Sequence, residues 1–217
     1  LHVRSRRQRQ MCIRDSFLYN SLENISALVE LEMNDEAVDM ISNLSTFYRG
    51  ALSKGNNIIS IKDELSLTES YLKIMKLRYY DIFDYDIICD SNLEQFSCPK
   101  LLIQPLVENA IYHGLKNNDD KGKVIVSIES LNDELKITIE DTGVGMTEAE
   151  LKKVINGNIS SSAKGGFAVK NTIERLNLFY HNNCIFKIKS KKNFGTTITI
   201  VIPAIRKELY SDEYTFS

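Results

Sequence analysis

The spacing of the apolar residues changes once along this chain, and the change limits what it can fold into. From Phe17 onward Leu18, Leu22, Ile25, Val29, Ala37, Ile41, Leu44, Tyr48 and Leu52 recur largely in steps of three and four, which puts them on one face of a helix. One long helix is expected over 17–52, with Gly50 near its end and Gly55, Asn56 and Asn57 marking the break. A second helix is expected over about 61–80, with Leu65, Thr68, Leu72, Met75 and Tyr79 on one stripe. Asp63 and Glu64 stand at its start, where the helix dipole favours negative charge. Two such helices form an antiparallel hairpin that cannot bury both faces alone. A second copy completing a four-helix bundle is the expected solution.

After Tyr85 the texture becomes mixed α and β. Residues 86–89 read as a short strand, and 101–115 as a mostly apolar, buried helix behind Pro99. Residues 124–131 and 134–141 alternate in the manner of paired strands across the turn Asn132-Asp133. Thr147, with Glu150 three residues on, caps a helix that Gly157 stops. Residues 156–166, rich in Asn, Ser and Gly, are expected to form a mobile loop ahead of a helix over 169–180. Residues 185–190 and 196–203 read as a closing hairpin, followed by a loosely held tail from Ala204.

Composition narrows the class without naming a function. A hydrophobic fraction of 43% allows a real core, and a formal charge of -2 gives no pull toward nucleic acid. Cys12, Cys89, Cys98 and Cys184 are scattered, a pattern that suits a reducing compartment and argues against a disulfide framework or a zinc site. No apolar run approaches the roughly 20 residues that span a bilayer. The expectation is a cytoplasmic segment.

Four segments have the makings of a site. In QPLVENAIYHG, residues 104–114, a buried helix carries Glu108, Asn109, Tyr112 and His113. Its polar groups need partners, and an Asn amide oxygen suits a magnesium ion bridging phosphates. In DTGVGM, residues 141–146, Asp141 ends a strand and can accept the exocyclic amine of adenine. Gly143 and Gly145 let the backbone turn sharply against a flat base. In KGGFAVKN, residues 164–171, Gly165 and Gly166 open a helix whose amides can hold phosphate oxygens. In GTTITIVIP, residues 195–203, Thr196 and Thr197 can bring hydroxyls near phosphate or base. Each segment alone also has a plain structural reading: a satisfied buried Asn, a glycine turn, a surface loop, a strand start.

Their order and spacing are more specific. Asn on a helix, Asp-x-Gly-x-Gly after a hairpin, a glycine loop opening a helix, and Gly-Thr in the last strand together resemble the nucleotide-binding boxes of the Bergerat-fold ATP-binding superfamily. That superfamily includes gyrase, mismatch-repair ATPases and histidine kinases, and the match runs over 99–203. FLYNSL from Phe17, ESYLKIMKLRY from Glu69 and LLIQPLVENAIYHG from Leu101 narrow the resemblance to sensor histidine kinases of the LytS/YesM type, now over 17–205. The resemblance implies an α+β fold: a helical-hairpin dimerisation and phosphotransfer region over 17–85, then an ATP-binding α/β sandwich over 86–207, its mixed sheet covered by helices on one face, and a tail over 208–217. It implies that Asn109 ligates Mg²⁺, that Asp141 binds adenine, that Gly143 and Gly145 shape its pocket, and that Gly166 belongs to a phosphate lid. Tyr112, His113, Gly165, Thr196 and Thr197 are further candidates for nucleotide contact. The implied cofactors are ATP and Mg²⁺, and the implied partners are a second copy and the receiver domain of a response regulator. The implied parent is anchored in the cell membrane upstream of Phe17.

The chain departs from the family pattern twice. Ala168 stands where relatives usually carry Gly, and Ser16 stands where the acceptor histidine precedes FLYN. Serine lacks the imidazole nitrogen that would attack the γ-phosphate. His2, His113 and His181 are the remaining histidines, and none lies on the expected hairpin. Residues 1–16 also differ in texture, with Arg4, Arg6, Arg7, Arg9 and Arg14 and no apolar period. RRQRQMCIRDS resembles the translation of a transposase sequencing adapter, so residues 6–16 are read as an artefact joined to a truncated gene. The rival reading is a basic arm for nucleic acid or a membrane surface. Three functions follow in order: histidine kinase core, hydrolysing ATPase of the same superfamily, and nucleotide-sensing pseudokinase scaffold. Hydrolysis is disfavoured because the position one helical turn before Asn109, where a Glu base belongs, is Pro105. Glu108, about 100° round the helix from Asn109, is a candidate for polarising a histidine or supporting the magnesium shell.

Overall fold

The computed structural model describes residues 2–52, 57–79, 82–116, 120–155 and 165–206, with side chains from 16 onward in the first stretch and from 168 onward in the last. The expected mobile loop lies outside the described residues from 156 to 164, as does the tail beyond 206.

The first helical stretch is two helices. α1 runs His2–Glu30 and α2 runs Asn34–Leu52, with a turn between them in which Glu32 takes φ +61. The single helix expected over 17–52 is thus corrected. Periodicity carries across the turn in the sequence, but Met33-Asn34-Asp35-Glu36 also supplies an acidic first turn that starts a new helix. α2 buries Ala37, Met40, Leu44 and Phe47. Its Ile41 and Leu52, expected on the same face, are exposed. α3, Ile61–Arg78, begins at Ser60, whose hydroxyl accepts the Asp63 N–H at 3.0 Å. It buries Leu65, Thr68, Leu72 and Met75, as the stripe predicts. Phe17 of α1 stacks on Tyr71 of α3 at 5.5 Å between ring centroids and meets Phe47 of α2 edge-on at 5.4 Å, so the three helices share one aromatic contact.

Five strands form a mixed sheet in the order β2-β4-β5-β7-β6. They are β2 (Phe83–Cys89), β4 (Gly122–Leu131), β5 (Glu134–Asp141), β6 (Ile185–Lys191) and β7 (Gly195–Pro203). β2 lies parallel to β4 and the other neighbours are antiparallel. Alternation decides which face is covered. Val124, Val126 and Ile128, then Leu135, Ile137 and Ile139, then Ile198, Ile200 and Ile202 are all buried. They meet Leu106, Ile111, Leu115 and Leu176 in one core. The intervening residues of β4, such as Ile125 and Ser127, are less buried. A separate two-stranded sheet, β1 (Ile58–Ser60) with β3 (Ser97–Pro99), was not foreseen; three-residue strands are too short to show a period.

The covering helices are α4 (Gln104–Asn109), α5 (Glu148–Ile155) and α6 (Gly165–Phe179). α5 starts in the expected capping box: Glu150 N–H donates to Thr147 Oγ1 at 3.3 Å, and Thr147 N–H donates back to Glu150 Oε2 at 2.8 Å. α4 continues as a π-helical turn, Ala110–Leu115, in which Lys116 N–H reaches back five residues to the Ile111 carbonyl. Such wide turns are uncommon and are frequent at functional sites.

Candidate nucleotide site

Asp141 ends β5 with its side chain on the helix-covered face and is 6% exposed. Its Oδ1 accepts the N–H of Gly143 at 2.9 Å, and the Thr196 N–H also donates to the carboxyl. Burial nevertheless pushes the carboxyl up to about 6, against the pull of these two N–H groups. The backbone around it is closely fitted. A Cβ on Gly114 would lie 2.6 Å from Asp141 Oδ1, and one on Gly143 would lie 2.3 Å from the Gly114 carbonyl. The Val144 N–H donates to that same carbonyl at 2.9 Å. The π turn therefore delivers Gly114 to the carboxylate, and only bare backbone fits between helix and loop.

Gly145 (φ +55) and Gly195 (φ +101) adopt left-handed conformations that favour glycine. A Cβ on Gly145 would strike the Lys191 carbonyl, and one on Gly195 the Asp141 carbonyl. Ser190 fastens this corner. Its hydroxyl accepts the Met146 N–H at 2.8 Å and lies 2.9 Å from Thr196 Oγ1. Thr196 thus joins Asp141. Thr197, next along β7, pairs with Glu140 on the other side of the pleat.

On α4, Asn109 is half-buried, and its Nδ2 is buried without a hydrogen-bond partner. A buried amide in that state costs free energy unless a ligand takes it up. Glu108 is half-buried beside it. Burial pushes its carboxyl up, opposed by a hydrogen bond that Gln104 Nε2 donates at 3.3 Å. Tyr112 turns to the end of α3. Its ring meets Tyr79 edge-on at 6.2 Å, Arg78 donates to its hydroxyl at 3.4 Å, and Lys116 lies over both rings. Burial holds the Tyr112 hydroxyl up at about 12. His113 is exposed. Gly165 and Gly166 open α6, which packs on α4, and Ala168 sits half-buried in its first turn.

In the sequence Gly114 only stands near the end of the helix expected over 101–115. Its contact with Asp141 depends on the π turn, for which the sequence carries no periodic signal. Ser190 was likewise missed, being one polar residue within an alternating strand.

An α+β fold with a mixed sheet, helices on one face, and a helix whose π turn meets the Asp141–Gly143 corner fit a Bergerat-type architecture. Comparison with known proteins agrees. Residues 6–83 match the histidine kinase family model, and residues 99–206 match the model for histidine kinase-, DNA gyrase B- and HSP90-like ATPases. The first match begins within the basic leader. The chain is 31% identical over 195 residues to Sensor protein LytS of Staphylococcus saprophyticus and 28% identical over 195 residues to Sensor histidine kinase YesM of Bacillus subtilis. Each alignment covers 89% of this chain, and 33% and 32% of those relatives, so the chain spans about a third of their length. The histidine kinase domain of the blue-light activated kinase of Erythrobacter litoralis superimposes with a TM-score of 0.51 at 16% identity, covering 81% of this chain and 83% of that one. The catalytic domain of histidine kinase ThkA gives 0.51 at 15% identity, over 69% and 97%. These two likenesses speak to the fold. The chain belongs to the sensor histidine kinases of the LytS/YesM type.

Proposed function

We propose that this chain is the nucleotide-binding, dimerising core of a two-component sensor kinase, which binds ATP with Mg²⁺ for histidine phosphorylation and onward transfer to the receiver domain of a response regulator. The observation that carries the reading is the unpartnered, buried Nδ2 of Asn109 on the helix whose π turn brings Gly114 against Asp141. The residues fit the ligand. Asp141 offers a carboxylate to an adenine amine, Gly114 and Gly143 leave a surface that no side chain would, and Asn109 offers an amide to phosphate oxygens and a divalent ion. A magnesium ion held there would neutralise phosphate charge. In this reading the chain's own part is positioning: Asn109 holds the phosphate end, Asp141 the base end, and Glu108 polarises an attacking imidazole or supports the magnesium shell.

Packing on α3 supports the reading: Ser16, at the acceptor position, precedes Phe17, and Phe17 stacks on Tyr71. Serine at position 16 favours a second reading for the chain in this form, a nucleotide-binding scaffold that does not phosphorylate itself. Pro105, in the first turn of α4, cannot activate water, so hydrolysis is disfavoured. The parent of this segment is taken to be anchored in a membrane; among the described residues no helix is long and apolar enough to cross one.

The test is incubation with γ-labelled ATP and Mg²⁺. The expected result is no acid-labile label on the parent chain, label on the Ser16→His variant, and none on Ser16→His combined with Asn109→Asp. Free phosphate without labelled protein supports hydrolysis instead. Absence of nucleotide binding overturns the site.

A further inference from the structure

Glu64 was read from the sequence as a dipole partner at the start of α3, yet it is fully buried. Its two carboxylate oxygens are spent on backbone. Oε2 accepts the Leu101 N–H and Oε1 accepts the Ile103 N–H, each at 2.7 Å. From the other side Arg175 of α6 donates to the carbonyls of Leu101, at 3.3 Å, and of Lys100. Arg175 is an exposed residue whose guanidinium donates to these two carbonyls, and burial of that group lowers its pKa. Leu101 is held at both ends of its peptide unit in a left-handed conformation, φ +56, which a branched side chain rarely adopts unless its surroundings enforce it.

The segment gripped in this way leads directly into α4. That helix has no side-chain cap of its own; Ile103 occupies its N-cap position, and Glu64 takes the Ile103 N–H. Asn109 lies six residues beyond Ile103 on the same rigid element, and Gly114 meets Asp141 at the far end of the π turn. Displacing residues 100–103 therefore displaces the amide that faces the phosphates. A buried carboxylate is costly. Burial pushes the Glu64 carboxyl up, and the Ile103 and Leu101 N–H groups and the Arg175 charge oppose it. An apolar residue would fill the space without that cost, but it would leave two N–H groups unmet.

We propose that Glu64 and Arg175 are positioning residues of the nucleotide site, locking the 100–103 backbone so that α3 and α6 together set the placement of the Asn109 helix. The proposal rests on the nucleotide reading above for its consequence, and on hydrogen-bond geometry for its substance. It makes α3 a lever: movement of the helical region reaches the phosphate end of the site through one carboxylate, and α6, which opens at Gly165-Gly166, is tied to the same peptide units.

The experiment uses the whole chain and two readouts, affinity for a fluorescent ATP analogue with Mg²⁺ and amide hydrogen exchange resolved by segment. Glu64→Gln can satisfy only one of the two N–H groups. It is expected to weaken nucleotide affinity by about tenfold or more, since small misplacements of a binding group have large effects. It should also speed exchange across 104–115 while β4 and β5 keep their protection. Arg175→Met should move both readouts the same way, and Arg175→Lys should restore part of the loss. Parental affinity and unchanged exchange over 104–115 in both Glu64→Gln and Arg175→Met overturn the proposal. So does faster exchange in every element equally, which marks a general stabilising role. If Glu64→Gln does not fold, Arg175→Met decides. If the parent binds no nucleotide, the site reading fails, and the exchange pattern still decides on the clamp.

Discussion

Gly114 and Asp141 come from different elements, and their closeness sets what each position tolerates. A Cβ at Gly114 would stand 2.6 Å from the carboxylate oxygen, nearer than atoms of separate groups pack. Gly114→Ala is expected to cost about 1–3 kcal/mol by overpacking and to turn Asp141 out of its hydrogen bond to Gly143, with nucleotide affinity lost. Urea denaturation and nucleotide titration read the two effects separately. Asp141 itself sets a pH dependence. Its folded value of about 6 stands above the ordinary 3.8, so the folded protein holds this proton more tightly than the unfolded chain. The group's contribution to the nucleotide-free fold is fully present below 3.8 and lost as pH rises through about 6. Nucleotide binding runs the other way, because the ionised carboxylate is the better acceptor for the adenine amine. Affinity is expected to fall roughly tenfold per pH unit below that value, and Asp141→Asn should abolish the difference between pH 7 and pH 5. Titration at several pH values checks this. Asp141, Gly143 and Gly145 were legible because strand, turn and glycine follow one another in the sequence. Glu64 had a fainter signal: it stands on the same stripe as Ile61, Leu65 and Thr68, where a charge must find partners.

Elements were legible wherever a period ran long enough. The paired strands 124–131 and 134–141 match β4 and β5 except that β4 begins two residues earlier, at Gly122. The capping residues of α5 form the box their spacing predicts. β2 begins at Phe83, three residues before the expected strand, and α6 at Gly165, four before the expected helix; ends are set by partners that lie elsewhere in the chain. The break at Leu31–Met33 went unseen because a tight turn of three residues barely disturbs a pattern of threes and fours. α3 is the element on which both halves lean, against α2 on one side and α4 on the other. Leu72 at its centre is 0% exposed. Leu72→Ala is expected to destabilise the chain by about 2–5 kcal/mol, seen as a lower urea midpoint with the slope unchanged. A change of slope instead would show that the helical region melts apart from the sheet domain.

For the molecule as a whole, the helical region leaves several apolar side chains exposed. Leu22 and Val29 on α1, Leu31 in the turn, and Val38 and Ile41 on α2 are 49%, 53%, 68%, 64% and 49% exposed. Exposed apolar residues of the sheet-bearing half, such as Ile88, Leu131, Ile155, Leu178 and Phe194, come from separate strands, helices and turns. Single exposed apolar residues need no explanation, but a contiguous patch marks an interface. Leu22, Val29 and Ile41, which the sequence pattern puts on a buried face, are among those left bare, which fits a second copy of the helical region as their cover. Light scattering after size exclusion is expected to give twice the chain mass. Val38→Glu with Ile41→Glu, placing two charges on that face, should shift the mass to that of one chain. Neither residue touches Asn109, Asp141 or the gripped segment at 100–103, so nucleotide affinity should persist in the resulting monomer. A parent that is already monomeric, or a double variant that stays dimeric, removes the helical face as the dimer interface.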